Sequence, residues 1–299
     1  MGPTAAGKTA MGLHIAQAFG GEIVSADSRQ CYRQMTIGTA KPLADELAAV
    51  RHHFINHQSI HDPYNAGRFA KDATHFLGQY FVHNSFVTLV GGSGLYIDAC
   101  IDGFDDLPSN SQLRVEIEQD YNHKGIVYLQ ETLEQLDSIY HQQIDLNNPQ
   151  RLMRALEVCL ASGKKYSDLR KNTPQGLGGL GYNIVWIGLN EPHRAVLYQR
   201  INDRVDKMVA DGLVNEALHL YDLRHLDALK TVGYSELFEY FDKKTTLDEA
   251  IERIKTNTRR YAKRQLTWFR KRGDQIAWFE PNQSTEIINY IEQKILKRQ

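Results

Sequence analysis

Gly2-Pro3-Thr4-Ala5-Ala6-Gly7-Lys8-Thr9 stands one residue into the chain and has the spacing G-x-x-x-x-G-K-[ST] of a phosphate-binding P-loop. The pattern has a mechanical reading. A Gly-rich turn aims successive backbone N–H groups at phosphate oxygens, Lys8 adds a point charge, and the Thr9 hydroxyl serves a Mg²⁺ ion. The amphipathic stretch with Met11, Ile15, Ala18 and Phe19 supplies the helix that the motif runs into. A P-loop also needs a buried strand ahead of it, and only Met1 precedes Gly2. The first strand of the sheet, usually about five residues, is therefore expected to be missing, through a misplaced translation start or a true truncation.

The N-terminal third alternates strand and helix as an α/β domain does. Glu22-Ile23-Val24-Ser25-Ala26 reads as a short strand ending at Asp27, a helix covers Asn65 to Val82, and Phe86-Val87-Thr88-Leu89-Val90 reads as a buried parallel strand. From Leu107 to Gly181 the pattern changes to short helices rich in Gln, Asn and charge. The strand Ile184–Leu189 then resumes the sheet, followed by helices near His193 to Ala210, Val214 to Tyr221, Ser235 to Phe241 and Leu247 to Lys271. The fold expected is α/β, a P-loop NTPase-like parallel sheet flanked by helices. Residues 1–106 and 182–299 form the core, and 107–181 an inserted all-helical subdomain.

Composition narrows the function. The 299 residues include no apolar run that would span a membrane, and no signal peptide is read at the start. Cys31, Cys100 and Cys159 are scattered, which suggests neither disulfides nor a zinc site and fits a reducing cytoplasm. A formal net charge of -1 argues against a generic nucleic-acid coat, although a near-neutral total can hide a basic face. Arg253, Lys255, Arg259, Arg260, Lys263, Arg264, Arg270, Lys271 and Arg272, interleaved with Tyr261, Trp268 and Phe269 and opposed only by Glu252, suggest a phosphodiester track.

Motor and switch P-loop proteins end a second strand in an acid that helps hold Mg²⁺. Here that strand runs into Gly91-Gly92-Ser93-Gly94, which disfavours ATP-driven motion and resembles a turn at which backbone closely approaches a ligand. The carboxylate at a strand's carboxyl end is Asp27, where doubly wound sheets bind ligands. It reads as a metal-shell ligand or a general base, or else as an N-cap for a short helix that follows, since Asp before Ser-Arg-Gln is a good helix start. Arg200 and Arg204, four apart on one helix, suit either an anionic leaving group or salt bridges to nearby acids. The histidine-rich stretch His52 to His61 has a Phe54-Ile55 centre that reads as a strand, whose alternation splits the histidines between faces and speaks against a metal site.

Several blocks together resemble the tRNA dimethylallyltransferase family, also called tRNA isopentenyltransferases. They are the P-loop, Ser25–Tyr32, Ile37–Pro42, Leu89–Tyr96, Asn148–Val158, Thr231–Tyr234 and Thr258–Trp268, in the family's order across nearly the whole chain. The resemblance implies transfer of a dimethylallyl group from dimethylallyl diphosphate to N6 of adenosine 37, next to the tRNA anticodon. Asp27 would then be the general base, and the P-loop residues Gly2, Pro3, Thr4, Ala5, Ala6, Gly7, Lys8 and Thr9, with Mg²⁺ on Thr9, would hold the diphosphate. Arg204 would neutralise the leaving group. Contacts to the tRNA anticodon stem-loop are implied at Asp27, Ser28, Arg29, Gln30 and Ser93. In the insertion they fall at Arg114, Gln150, Arg151, Leu152, Met153 and Arg154, and later at Lys230, Thr231, Val232, Gly233, Tyr234 and Ser235. A monomer is expected. Ala6, Ser93 and Cys31 depart modestly from the family pattern.

Rival readings remain distinguishable. An adenylate isopentenyltransferase would need neither the helical insertion nor the Thr258–Trp268 block. A P-loop nucleotide kinase would consume ATP, and an RNA-binding protein with a relic P-loop would not depend on Asp27.

Overall fold

Ile23 and Val24, β-branched and fully shielded, form the centre of a parallel sheet. The computed structural model describes residues 1–105, 107–170 and 176–296. In chain order these form α1 (Lys8–Phe19), β1 (Glu22–Ser25), α2 (Ala44–Ala49), β2 (His52–His53), α3 (Ala66–Tyr80), β3 (Val87–Val90) and α4 (Gly94–Ile101). Then come α5 (Ser111–Leu136), α6 (Ser138–His141), α7 (Pro149–Ser162), α8 (Tyr166–Leu169) and β4 (Ile187–Leu189). The chain closes with α9 (Arg194–Ala210), α10 (Leu213–His219), α11 (Tyr234–Phe241), α12 (Leu247–Arg270), β5 (Ala277–Phe279) and α13 (Ser284–Leu296). Two compact units result, Met1–Ile101 with Gly176–Gln299, and Asp102–Gln175.

In the first unit the strand order is β2-β1-β3, all parallel, with Ile23 opposite His52 on one side and Thr88 on the other. β4 and β5 form a separate parallel pair. Helix α3 starts where the Asn65 side chain accepts the Arg68 N–H, and it buries Phe69, Ala73, Leu77 and Tyr80 at helical spacing. Helix α12 starts with a capping box between Thr246 and Glu249 and buries Ala250, Ile254, Ala262, Gln265 and Phe269.

Between β3 and β4 lies an apolar cavity of about 610 Å³, walled by Val87, Leu89, Ile187 and Leu189 and floored by Met11 and Ile291. Met1 sits in its wall as the beginning of a ladder. Its amino group donates to the Ile187 carbonyl at 2.8 Å, and the Leu189 N–H donates to the Met1 carbonyl at 2.8 Å, the alternation of a parallel pair. Thr88 Oγ1, also in the wall, is buried without a hydrogen-bond partner. The outer edge of β3 thus faces a slot, while its inner edge is paired with β1.

In the second unit, α5 and α7 enclose a core of Ile117, Leu129, Leu133, Leu152, Met153 and Leu156. Gly125, at φ 78° and ψ -173°, is non-helical and breaks α5 into two consecutive shorter helices. Residues 171–175 of the expected insertion lie outside the described residues. A correction concerns Phe54-Ile55. Phe54 (φ 65°) and Asn56 (φ 57°) are left-handed, so the strand stops at His53 and the chain turns. Among the described residues no helix is long and apolar enough to cross a membrane.

Candidate active site

The loop before α1 takes the shape its glycines allow. Ala5 (φ 62°) and Gly7 (φ 77°) are both left-handed, which turns successive N–H groups toward one concave side. Ala5 tolerates that conformation at a cost of about 1–2 kcal/mol, the kind of strain that collects at ligand sites. Lys8 is partly buried, with its ammonium donating to the Pro3 carbonyl at 2.6 Å. Burial and then the neighbouring Arg204 pull its pKa down to about 7, with Asp27 opposing. Arg204 reaches in from α9 and donates to the Thr4 hydroxyl at 3.3 Å. Burial lowers its pKa too, and Asp27 again opposes.

Asp27 is half-buried at the carboxyl end of β1. Its Oδ1 accepts the N–H groups of Arg29 at 2.9 Å and Gln30 at 3.2 Å, so the side chain does cap backbone donors, but those of a turn and not of the short helix anticipated there. Only one oxygen is used in this way. Among the described residues Oδ2 accepts no hydrogen bond, and the carboxylate's charge is felt by Lys8, Arg204 and Tyr261. Ser93 is also here: its hydroxyl accepts the Ser28 N–H at 3.0 Å and donates to the Ser28 hydroxyl at 3.3 Å. Tyr261 faces Ser93 from α12, its phenol pKa raised by burial and by Asp27.

The glycines of the Gly91–Gly94 turn are needed for the protein's own packing. A Cβ on Gly91 would lie 2.2 Å from the Ala26 carbonyl, one on Gly92 would meet the Gln265 amide at 2.3 Å, and one on Gly94 the Trp268 ring at 2.3 Å. Small residues let α12 press against the turn that carries Ser93.

The two arginines of α9 separate. Arg204 joins the loop, whereas Arg200 pairs with Glu191 at 3.3 Å on the surface. The cationic run of α12 also divides, because acids from elsewhere meet part of it. Arg253 pairs with Glu239, Lys255 with Asp206 and Glu252, and Arg272 with Asp98, while Arg259 bonds the Asn202 side chain. The reading that only Glu252 opposes the run is therefore corrected. Arg260, Lys263, Arg264, Arg270 and Lys271 remain exposed along one side of the helix.

The residues expected to meet RNA are likewise of two kinds. Arg29, Lys230, Thr231 and Ser235 reach solvent at least partly. Gln30 turns its amide inward to the carbonyls of Thr39 and Ala40, and Tyr234 is fully buried with its hydroxyl on Glu216. Glu216 also accepts the N–H groups of Thr36, Ile37 and Gly38, fixing the Ile37–Pro42 loop. In the second unit Arg114 donates to Gln150, and both Arg114 and Arg154 face the buried Glu157, while Arg151 is exposed. Leu152 and Met153 belong to that unit's core and present nothing to a surface.

A metal carried in on a diphosphate needs only one or two protein oxygens. The Thr9 hydroxyl, in the first turn of α1 and with no hydrogen-bond partner among the described residues, fits that demand, as does Asp27 Oδ2. Among the described residues no group of three or more His, Cys, Asp or Glu is gathered to hold a metal unaided. Sequence reasoning missed Gln265, although the signal was present: a neutral polar residue on the stripe Ile254, Ala262, Phe269 that α12 buries.

A family model described as IPP transferase matches residues 30–272. The tRNA dimethylallyltransferase of Flavobacterium johnsoniae is 48% identical over 97% of this chain and 95% of its own length. That of Christiangramia forsetii is 48% identical over 99% of this chain and 97% of its own. Among solved structures, the full-length tRNA isopentenylpyrophosphate transferase of Bacillus halodurans aligns with a TM-score of 0.72 at 38% identity, covering 99% of this chain and 95% of that one. A eukaryotic dimethylallyltransferase acting on tRNA has a TM-score of 0.76 at 24% identity, covering 99% and 76%, a likeness of fold.

Proposed function

The chain belongs to the IPP transferase family and is a prenyltransferase that modifies tRNA, and we propose that it moves the dimethylallyl group of dimethylallyl diphosphate to N6 of adenosine 37. One observation carries the assignment of roles: the Asp27 carboxylate is held through one oxygen, and its charge is felt by two partly buried cations, Lys8 and Arg204.

An adenine amine is a poor nucleophile because its lone pair is delocalised into the ring. As that pair forms the new C–N bond to the allylic carbon, Asp27 Oδ2 accepts the N6 proton. The allylic C–O bond breaks with its electrons leaving on the diphosphate. The loop N–H groups, Lys8 and Arg204 meet that growing charge and so favour the transition state over the ground state. Magnesium, held by Thr9 and the diphosphate, would supply Lewis-acid stabilisation of the same charge. The target base must leave its stack, which costs a few kcal/mol and least in a single-stranded loop such as the anticodon loop. The exposed cations of α12 suit the phosphodiester backbone around it. Lys8, Asp27 and Arg204 all come from one chain, in keeping with a monomer.

The slot between β3 and β4 belongs to the same proposal, as the place of a strand joined to the amino side of Met1. The ladder Met1 makes with β4, the unpaired edge of β3 and the apolar walls support it. So does the Met1 amine, which burial and then Lys8 pull down to about 5, a penalty that a peptide N–H would not bear.

The test is incubation of the protein with Mg²⁺, dimethylallyl diphosphate and an unmodified anticodon stem-loop, read by mass spectrometry. Gain of one C5H8 unit on the loop adenosine is expected. Prenylation of free AMP with none of the stem-loop, or phosphoryl transfer from ATP, would overturn the assignment.

A further inference from the structure

We infer that Gln265 is a positioning residue that locks the diphosphate loop to the turn beside the catalytic carboxylate. The inference rests on the roles proposed above for Lys8, Asp27 and Arg204.

Gln265 is 6% exposed, on the face of α12 turned into the fold. Its Oε1 accepts the Thr4 N–H at 2.8 Å, and its Nε2 donates to the Gly92 carbonyl at 2.9 Å. One planar amide thus bridges two backbone groups far apart in sequence. Each end leads to the chemistry. Thr4 carries the hydroxyl that receives Arg204. Gly92 precedes Ser93, whose hydroxyl takes the N–H of Ser28, the residue after Asp27. A shift of the Gln265 side chain therefore moves the leaving-group cradle and the general base relative to each other, the distance on which in-line transfer depends.

The side chain is specified by this double duty. Thr4 needs an acceptor and Gly92 a donor, and a carboxamide offers both at that reach whatever the pH. A leucine leaves both backbone groups buried and unpaired. A glutamate keeps the acceptor but sets an anionic oxygen against the Gly92 carbonyl, unless it is protonated. The absence of a Cβ on Gly92 makes room for the contact, since one would fall 2.3 Å from Gln265 Nε2.

The experiment compares the wild-type chain with Gln265→Leu and Gln265→Glu, matched for folded fraction by circular dichroism at the assay temperature. In Gln265→Leu we expect kcat to fall about 100-fold and KM for dimethylallyl diphosphate to rise several-fold, with KM for the stem-loop within about twofold. Pyrophosphate affinity by calorimetry should fall in parallel, a readout that stands even if prenyl transfer is not the reaction. In Gln265→Glu the ratio to wild type should climb as pH drops from about 8 to about 6, because the protonated acid regains a donor for Gly92. A simple packing role predicts no such pH profile. The inference is overturned if both variants keep kcat, KM and pyrophosphate affinity within about twofold, if their losses track unfolded protein alone, or if the Gln265→Glu ratio is flat with pH. Wild type that binds pyrophosphate but prenylates nothing overturns the proposed function and leaves the calorimetric arm to decide on Gln265.

Discussion

The Lys8 ammonium donates to the Pro3 carbonyl at 2.6 Å, and desolvation, then the neighbouring Arg204, lowers its pKa to about 7. A diphosphate arriving there brings the negative charge that favours the protonated lysine. Above pH 7 its binding should therefore take up a proton. Pyrophosphate calorimetry at pH 8 in buffers of different ionisation enthalpy is expected to report that uptake in wild type and to lose most of it in Lys8→Met. The stability sign follows from the same shift. The folded pKa lies below the ordinary value of 10.5, so between pH 7 and 10.5 the unfolded chain binds more protons and this group makes the fold more stable as pH rises. Lys8→Met should flatten that slope in denaturant titrations.

Asp27 has two jobs, which two substitutions separate. Asn keeps an oxygen for the Arg29 and Gln30 N–H groups and cannot accept the N6 proton. Asp27→Asn is thus expected to lower kcat by about 10²- to 10⁴-fold while melting near wild type. Asp27→Ala should lose activity equally and also about 1 kcal/mol of stability, the cost of the cap. If Asp27→Asn keeps its kcat at saturating stem-loop, the base lies elsewhere.

The cations left exposed on α12 make a quantitative prediction for RNA affinity. Removing one side chain that neutralises a phosphate should lower the steepness of log K against log salt by about one unit. Replacing Lys263, Arg264 and Arg270 together by alanine is expected to weaken stem-loop binding and flatten the salt slope, with kcat at saturating RNA unchanged. Arg253→Ala, which breaks an ion pair with Glu239 on the surface, is the control and should leave the slope as it was.

What the sequence disclosed was whatever the backbone alone decides. The P-loop spacing, the strand around Ile23 and Val24, and the helix that starts at Asn65 are local, and so they were legible. Phe54 and Asn56 turn left-handed because their rings and amides pack into a neighbouring cluster and loop, which no period-two pattern announces. The α12 charges lost to Glu239, Asp206 and Asp98 have partners on α11, α9 and α4, reached only after folding. The site divided in the same way. Lys8, Asp27 and Ser93 lie in motifs whose spacing shows them, whereas Gln265 is legible only as a polar residue on a buried stripe, and its two backbone partners stand far off in the chain.

The slot between β3 and β4 yields the last prediction. A version of the protein with about five apolar, β-branched residues placed before Met1 should run a parallel strand between Val87–Val90 and Ile187–Leu189. Two or three side chains buried there contribute about 1.5–3 kcal/mol each, and each kcal/mol raises the melting temperature of a unit this size by about 2–4 °C. An increase of at least about 6 °C is therefore expected, together with loss of the cavity. Titration supplies a second, independent readout. The Met1 amine, at about 5 against an ordinary 8.0, makes the fold more stable as pH rises between those values, because there the unfolded chain holds the extra proton. In the extended chain that nitrogen is an amide, and this part of the pH dependence should vanish while the window owed to Lys8 persists. An extended chain that melts no higher than the original and keeps the full acid-side slope would mean that the slot is not a strand's place.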